Sequence, residues 1–397
     1  MARYLILLFS VLIVSLAMAQ TKRYEGFGTV TKGGEGQPVY HVTSLKDDGS
    51  FGTLRDALSE GNRYIVFDTA GTILVGEDLE IKGSFVTIDG STVPYPGITL
   101  KKSKLDIVIL TLREVSDIII THIRVQGLMD ENADVSPEHT GTIAIYTRNS
   151  KPVRNIIFDH ITARNAIDSG LDIWGEVHNI TIQYCLIAIN HSPQTISHYG
   201  KGGFKKRRNI SIHHNIYARN NERNPQLRAD TRTVDYVNNI VYDWAYWDEM
   251  YGYGIRIKNK WRPGEPKVTM NVVNNVFIPT RRPEWALVYG KDAGREENDD
   301  GPNQVLPQGT VYKDSDMDSL YVTGNILPEE NMDHYSTVEN PLPIPDFAKV
   351  TTYSAVALAD SVVPFVGTHY PLVDEQDIFN AITDSLHSII LEKESKL

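Results

Sequence analysis

Residues 179–188, Asn-Ile-Thr-Ile-Gln-Tyr-Cys-Leu-Ile-Ala, carry the pattern that decides the fold. Two further stretches, 155–164 and 209–218, open in the same way, with Asn-Ile-Ile-Phe and Asn-Ile-Ser-Ile. In all three, apolar residues fill the second and fourth positions. Alternation with period two, carried largely by β-branched residues, predicts a strand that buries one face.

Seven such repeat lines align along the chain. They occupy 117–126, 155–164, 179–188, 209–218, 233–242, 269–278 and 319–328, so successive starts differ by 38, 24, 30, 24, 36 and 50 residues. A repeated strand unit with loops of varying length is typical of a solenoid. The sequence therefore predicts an all-β fold, a right-handed parallel β-helix, with the hand expected from the fold type.

The seventh position of the repeat lines supports this prediction. It is apolar in the first three lines and asparagine in the last four: Ile123, Ile161, Cys185, Asn215, Asn239, Asn275 and Asn325. Equal positions on successive coils lie about 4.8 Å apart. We therefore expect the asparagines to pass amide hydrogen bonds along a stack. Cys185, the only cysteine, is expected to be a small core residue in the same column.

The ends of the chain predict a capped and covered coil. Residues 24–110 read as many short strands, with a short capping helix that starts at Thr53 as N-cap and has Asp56 in its first turn. After residue 329 the pattern stops, and 377–391 looks like one amphipathic helix. We expect the coil to occupy 20–329 and a C-terminal extension, 330–397, to pack back on it.

The N-terminus and the charge balance indicate an exported protein. Arg3, the apolar run from Leu5 to Leu16 and Ala17-Met18-Ala19 predict a signal peptide at 1–19. The chain has 39 basic and 50 acidic residues, which argues against nucleic acid as a partner. We expect a secreted monomer, extracellular or periplasmic, with no membrane attachment after cleavage.

Charged residues interrupt the repeat at two places. Asp168 and Asp172 lie between two repeat lines, and paired carboxylates suit a hard cation such as calcium. Acidic pairs in loops are also commonly just solvated, and spacing alone leaves both interpretations open.

Arg223 and Arg228 flank Pro225 directly after the fourth line. Together they would form a fork for a carboxylate. The alternative from spacing alone is that they pair with Glu222 and Asp230.

Several motifs in order resemble the pectate lyase superfamily, polysaccharide lyase family one. They are Glu25-Gly26-Phe27-Gly28, Val39-Tyr40-His41-Val42-Thr43, Gly52-Thr53-Leu54-Arg55-Asp56-Ala57, Val66-Phe67-Asp68, Ile157-Phe158-Asp159-His160 and Arg223-x-Pro-x-x-Arg228. The resemblance implies a right-handed parallel β-helix, in agreement with the repeat. It also implies that 20–329 is a lyase domain, which cleaves 1,4-linked polygalacturonate by β-elimination.

The resemblance also implies roles for individual residues. Arg223 would be the base that takes the C5 proton, and Arg228 would bind a substrate carboxylate. Asp168 and Asp172 match two calcium ligands. A guanidinium normally stays protonated, so an arginine base requires nearby cations and burial that lower its pKa. Candidate cations follow the third line: Lys201, Lys205, Lys206, Arg207 and Arg208.

The chain departs from the family pattern at two positions. Gly141-Thr142-Ile143-Ala144 stands where many members carry an acidic calcium ligand, and His191-Ser192-Pro193 stands where related sequences read His-Ser-Lys. Asp130, Glu131, Asp134 or Glu138 are candidates to replace the carboxylate. Lys201 is the candidate to replace the lysine as a substrate contact.

Alternatives remain open. One is a lyase of the same fold acting on methylated pectin or another uronan without calcium. A hydrolase would use Asp168 and Asp172 as its carboxylate pair, and a non-catalytic glycan-binding coil would keep only the groove. Asp159-His160 is interpreted as part of a stacked column that includes Thr121-His122 and His213-His214. The aromatic group Trp244, Tyr246, Trp247, Tyr251 and Tyr253 fits either a sugar-binding wall or ordinary packing.

Overall fold

A computed structural model describes residues 23–129, 141–147, 151–197, 207–228, 231–247, 252–258, 268–280, 287–289, 319–327 and 336–395. The predicted signal peptide at 1–19 and the candidate residues Lys201, Lys205 and Lys206 lie outside these ranges.

Three parallel sheets wind into one coil. Sheet 1 has ten strands: β1 (Val39–Val42), β2 (Arg63–Phe67), β5 (Val86–Asp89), β8 (Ser116–Thr121), β11 (Val153–Asp159), β14 (Val177–Gln183), β17 (Arg207–His213), β20 (Thr231–Val237), β23 (Thr269–Val273) and β26 (Ser319–Thr323). Neighbours in the sheet are three strands apart in the chain, except for the first pair, β1 and β2. This order confirms the predicted right-handed parallel β-helix.

The other two sheets have eight strands each. Sheet 2 contains β3 (Gly71–Val75), β6 (Ile98–Lys102), β9 (Ile123–Gln126), β12 (Thr162–Arg164), β15 (Leu186–Ala188), β18 (Ile216–Ala218), β21 (Ile240–Tyr242) and β24 (Val276–Ile278). Sheet 3 contains β4 (Leu79–Ile81), β7 (Leu110–Arg113), β10 (Ile143–Tyr146), β13 (Leu171–Trp174), β16 (Thr195–Ser197), β19 (Gln226–Arg228), β22 (Ile255–Lys258) and β25 (Leu287–Tyr289).

The strand register agrees with the repeat lines. Their second positions pair in sequence across sheet 1: Ile118, Ile156, Ile180, Ile210, Val234, Met270 and Leu320. These side chains are buried and belong to one core that runs the length of the coil. The alternation worked as a predictor because one face of each strand meets that core.

The asparagine stack is confirmed. The side-chain oxygen of Asn239 accepts from the backbone N–H and the side-chain amide of Asn215, at 3.0 and 2.9 Å. The same pair of bonds joins Asn239 to Asn275, at 2.8 and 3.1 Å, and Asn275 to Asn325, at 2.8 and 2.9 Å. Cys185 continues the column, since its backbone N–H donates to Asn215 at 2.8 Å. Its thiol is buried in the core as expected, and burial raises its pKa.

A second asparagine ladder was not predicted. Asn209 donates to Asn179 and Asn179 to Asn155, both at 3.0 Å, and Asn155 donates to Asp117 at 3.2 Å. All four residues have positive φ, between 59 and 62°. Asparagine and aspartate adopt this conformation more readily than most residues, which explains why they open the lines.

The capping helix is also confirmed. Helix α1 (Leu54–Ala57) has Thr53 as its N-cap, and the Thr53 side chain accepts from the backbone N–H of Asp56 at 3.2 Å. Leu54, Ala57 and Leu58 enter the main core at the end of the coil.

The first described residues lie across the outside of sheet 1. A 3₁₀ turn (Phe27–Val30) follows Gly26, and the backbone N–H groups of Phe27 and Gly28 donate to the hydroxyls of Ser211 and Thr181, at 3.0 and 2.8 Å. A Cβ at Gly28 would lie 2.6 Å from the carbonyl oxygen of Ile156. Only glycine therefore allows this close approach.

The C-terminal segment covers sheet 2. It contains 3₁₀ turns (Asp346–Ala348, Ala355–Ala357 and Val363–Phe365), helix α2 (Leu358–Ser361) and helix α3 (Val373–Ser395). Apolar residues of these helices pack on the outer face of β15, β18, β21 and β24 in a second core. Helix α3 is longer than the predicted 377–391 and begins two residues after Pro371.

Buried ion pairs hold the start of α3 on sheet 2. Glu375, with a side chain 2% exposed, accepts from Arg124 Nε at 3.0 Å, Arg124 Nη2 at 2.9 Å and Arg164 Nη1 at 2.9 Å. Asp374 pairs with Arg164 at the solvent edge. Within the described ranges, no helix combines the length and the apolar character needed to cross a membrane.

Candidate active site

The predicted site residues gather on the outer side of sheet 3. Leu171 and Ile173 of β13 point into the core, so alternation places Asp172 outside. Leu227 of β19 is likewise buried, which places Arg228 on the same outer face. Asp168 precedes β13 and forms a parallel bridge with Ser192 on the next coil.

Arg223 lies between two carboxylates. Its Nη1 donates to Asp168 Oδ1 at 3.0 Å, and its Nε lies 2.8 Å from Glu222 Oε1. The backbone φ of Arg223 is 59°, which turns the chain ahead of β19. The Arg223 side chain is only 24% exposed, so both ion pairs are partly shielded from water.

Asp172 is held by three donors. It accepts from the hydroxyl of Ser169 at 2.5 Å, from Trp174 Nε1 at 2.6 Å and from the backbone N–H of Thr195 at 2.6 Å. The carboxylate is fixed in place next to Asp168, and Asp168 adds a second negative charge nearby.

Like charge and burial destabilise the ionised forms of both aspartates. Burial, followed by the charge of Asp168, raises the pKa of Asp172 to about 6. Burial also raises the pKa of Asp168, although the Arg223 and Arg228 charges oppose this change. A carboxylate pair in this condition is stabilised by an added cation, and its oxygen donors suit calcium in type.

The surroundings of Arg223, in contrast, stabilise its charged form. Burial lowers its pKa, but the charges of Glu222 and Asp168 outweigh burial, so the net pKa is raised above its usual value. Burial raises the pKa of Glu222, and the positive charge of Arg223 outweighs it and keeps that pKa low. In this arrangement Arg223 is firmly protonated. It could serve as a base only after its carboxylate partners were neutralised or drawn away.

Arg228 is anchored on the same face. In the amide orientation of Gln226 that satisfies both neighbours, the Gln226 oxygen accepts from Arg228 Nε at 3.0 Å and Nη2 at 3.1 Å. The amide nitrogen then donates to the Tyr253 hydroxyl at 3.1 Å. The structure thus brings together Asp168, Asp172, Glu222, Arg223 and Arg228.

Glu222 was the residue that sequence reasoning undervalued. It had appeared only as a neutralising partner in the alternative interpretation of the two arginines. In the structure it also accepts from Ser192 Oγ at 3.1 Å and acts electrostatically on Asp168. It is therefore a third carboxylate at the site. Its position immediately before Arg223 was the one available signal.

The two departures from the family pattern have local explanations. Thr142 is fully buried, and its hydroxyl donates to the carbonyl of Gly170. It is a structural residue here and offers no free oxygen to an ion. The carbonyl of Pro193 accepts from the backbone N–H of Leu171 at 2.8 Å. The replacement carboxylates suggested above, Asp130 to Glu138, and Lys201 lie outside the described residues.

Arg207, one of the candidate cations, is buried inside the coil. Arg207 has 0% exposure, and it donates to Thr231 Oγ1 at 3.0 Å and to the carbonyl of Gly175 at 3.3 Å. These contacts hold its guanidinium inside the coil. Arg208, the next residue, is half-buried.

Two aromatic residues are core residues. Trp244 is 1% exposed and Tyr253 is 0% exposed, so neither can form a sugar-binding wall. Tyr246 and Trp247 are half-buried, and Tyr251 lies outside the described ranges.

The histidine column is confirmed. His122 and His160 stack with ring centroids 4.4 Å apart, His160 stacks on Tyr184 at 5.2 Å, and Tyr184 on His214 at 4.9 Å. Among the described histidine, cysteine and acidic side chains, His122, Asp159 and His160 form a group with ligand atoms within 4.8 Å of one another. The His122 and His160 rings lie 8° from parallel, so their in-plane lone pairs cannot converge on one ion. This group is therefore explained by packing.

The comparisons with known proteins agree with the fold. No family model matches the sequence. Two curated relatives are named probable pectate lyase C. The one from Emericella nidulans is 34% identical over 222 residues, which are 56% of this chain and 47% of the relative. The one from Aspergillus flavus is 31% identical over 275 residues, 69% of this chain and 58% of the relative. The chain thus spans about half the length of the curated relatives it matches.

Solved structures give the same answer for the fold. The crystal structure of jun a 1, the major allergen from cedar pollen, aligns with a TM-score of 0.62 and 18% identity over 87% of this chain and 92% of that chain. The thermostable pectate lyase PL 47 aligns with a TM-score of 0.60 and 16% identity over 88% and 98%.

Proposed function

Because this chain is homologous to proteins of the pectate lyase superfamily and shares their fold, we propose that it cleaves 1,4-linked polygalacturonate by β-elimination. The observation that carries the proposal is the placement of Arg223 against Asp168 at 3.0 Å, on the outer face that also presents Asp172 and Arg228. An acidic polymer suits a site in which two arginines meet a carboxylate cluster on a long, stiff coil.

The reaction needs a base for the C5 proton and a positive environment for the adjacent carboxylate. In the proposed mechanism Arg223 takes the C5 proton. The C5 electron pair then forms the C4–C5 double bond as the C4–O bond breaks. The leaving oxygen gains a proton from water, and Arg223 afterwards releases its proton to solvent. Arg228 binds the substrate carboxylate and stabilises the charge that develops on it.

Calcium would be held by Asp168 and Asp172. Bound there, it would neutralise the carboxylates and supply positive charge to the uronate. A cation on Asp168 would weaken one of the interactions that raise the pKa of Arg223. Burial would then favour the neutral guanidine that the base role requires.

A second candidate is a lyase of the same fold that acts on methylated pectin or another uronan without calcium. The buried, satisfied hydroxyl of Thr142 favours it, because this position offers no ligand. The proposal also includes export through the signal peptide at 1–19, an extracellular or periplasmic location, a lyase domain at 20–329 and a monomeric state.

The test is ultraviolet absorbance of the unsaturated product on polygalacturonate, with calcium and with a chelator. The proposal expects a rise that the chelator abolishes. Arg223→Ala should remove turnover and keep binding, with the exposed Arg154→Ala as a matched control. A rise indifferent to chelator would support the second candidate. No rise on any uronan would overturn both.

A further inference from the structure

One outward row of side chains on sheet 3 continues beyond the candidate active site. Strand pairing aligns Arg113 of β7 with Tyr146 of β10, and Tyr146 with Trp174 of β13. The preceding residues, Leu112, Ile145 and Ile173, are all in the core. Alternation therefore places the three side chains together on the outer face.

The contacts within this row point to a ligand. The Arg113 guanidinium lies over the Tyr146 ring, 5.8 Å from its centroid. Arg113 Nε is buried and has no hydrogen-bond partner among the described residues. Trp174 is fixed at one end, because its indole N–H donates to Asp172 at 2.6 Å. All three side chains are half-buried.

We propose that Arg113, Tyr146 and Trp174 form a glycan-binding strip that extends the substrate groove toward the N-terminal coils. The aromatic faces pack against sugar rings, and Arg113 binds the carboxylate of a uronate unit about two strand spacings from Asp172. This inference rests on the proposed function, because it assigns additional subsites to the same polymer.

The row also sets a length requirement. Arg113 and Arg228 lie on β7 and β19, four strands apart in sheet 3. At about 4.8 Å a strand, the two cations are separated by roughly 19 Å. An oligomer of two or three units that occupies the reacting site cannot reach both. Arg113 therefore strengthens binding of long chains and has no effect on chains too short to reach it.

The chemistry matches an acidic polysaccharide. The face of an aromatic ring is a flat apolar surface, and a pyranose ring can pack its C–H groups against that surface. The cation at the end of the strip supplies the opposite charge to a uronate and stacks on Tyr146 when no sugar is present.

The test compares polygalacturonate with its trisaccharide in Tyr146→Ala and Arg113→Gln. Each variant should raise KM for the polymer about tenfold, and Arg113→Gln should leave the trisaccharide kinetics unchanged. Tyr146→Phe keeps the ring and should behave as wild type. Tyr95→Ala, which removes an exposed tyrosine in the turn before β6, is the matched control. Trp174 is left intact because it touches Asp172.

A binding measurement separates this inference from the proposed function. Calorimetric titration of Arg223→Ala with a hexasaccharide of galacturonate should show affinity that Tyr146→Ala, added to the same protein, lowers by about tenfold. If wild type is active but both strip variants keep their polymer KM and their hexasaccharide affinity, the strip is refuted. If wild type forms no unsaturated product but the strip variants still weaken hexasaccharide binding, the lyase proposal fails and the strip stands.

Discussion

Replacing Glu375 with glutamine should release the C-terminal segment from the coil. Glu375 is the shared acceptor for Arg124 and Arg164, and its carboxylate also accepts from the backbone N–H of Leu372 at 2.8 Å. The Arg124 and Arg164 side chains are only 3% and 6% exposed. Glu375→Gln keeps the size of the side chain and removes the charge, so two guanidinium groups stay in a dry interface with reduced compensation.

The structure sets the magnitude and provides its own control. Removing one member of a buried ion pair costs about 3–5 kcal/mol. Asp374 binds the same Arg164, but its side chain is 45% exposed. Pairs at the solvent edge contribute at most about 1 kcal/mol. Glu375→Gln should therefore destabilise the chain several times more than Asp374→Asn, in urea unfolding of the two variants beside wild type.

Hydrogen exchange should show which part of the structure loses stability in Glu375→Gln. Amides of α3 should exchange at least about a hundredfold faster in Glu375→Gln, while those of the asparagine stack keep their protection. If the two variants differ by less than about 0.5 kcal/mol, the buried ion pair does not anchor the segment and the reasoning fails.

Three further changes have defined outcomes. Asn239→Ala removes the acceptor of the Asn215 backbone N–H and side-chain amide, and it removes the side-chain donor to the Ile212 carbonyl and to Asn275 Oδ1, so unfolding in urea should show a loss of about 3 kcal/mol. Glu222→Gln removes a charge that raises the pKa of Arg223. In a plot of kcat/KM against pH, the rising limb should therefore shift to lower pH by about one unit. Burial and the neighbouring His213 lower the pKa of His214 to about 2. Native His214 thus stays neutral, while the unfolded chain binds a proton below about pH 6.5. Stability is lost as pH falls, and His214→Phe should remove about 1.4 kcal/mol of that loss for each pH unit below 6.5.

Each of these has a contradicting result. A cost under 1 kcal/mol for Asn239→Ala would mean that the stack is dispensable. If Glu222→Gln keeps the wild-type pH profile, Arg223 is not the base that titrates in that profile. If the free energy of unfolding of wild type and of His214→Phe changes in parallel between pH 5 and 7, His214 does not contribute to the loss of stability in acid.

Local pattern was enough to predict the coil. Each repeat line carries its own strand signal, and stacking equal positions then placed Asn215, Asn239, Asn275 and Asn325 in one column without any knowledge of the loops. The second ladder through Asn155, Asn179 and Asn209 was missed because it depends on positive φ at the line starts. The pattern of apolar residues does not report that angle.

The candidate site was less accessible to the same reasoning. Spacing and motif named Asp168, Asp172, Arg223 and Arg228, and the structure places them together. The role of Glu222 depends on the direction in which a loop side chain points, and the repeat pattern of the sequence does not show that direction. The buried state of Arg207 and the satisfied hydroxyl of Thr142 depend on contacts 24 or more positions away. Ion pairs between sheet 2 and α3 join residues more than 200 positions apart.

The N-terminal segment on the outside of sheet 1 has a consequence for the order of folding. Its backbone donors, Phe27 and Gly28, need the hydroxyls of Ser211 and Thr181, which are 184 and 153 positions later in the chain. During synthesis those partners emerge long after the segment itself. Contacts of such separation form late and slowly. A segment that is made early is thus among the last to be fixed in place, and its face of sheet 1 stays uncovered until Thr181 and Ser211 are in position.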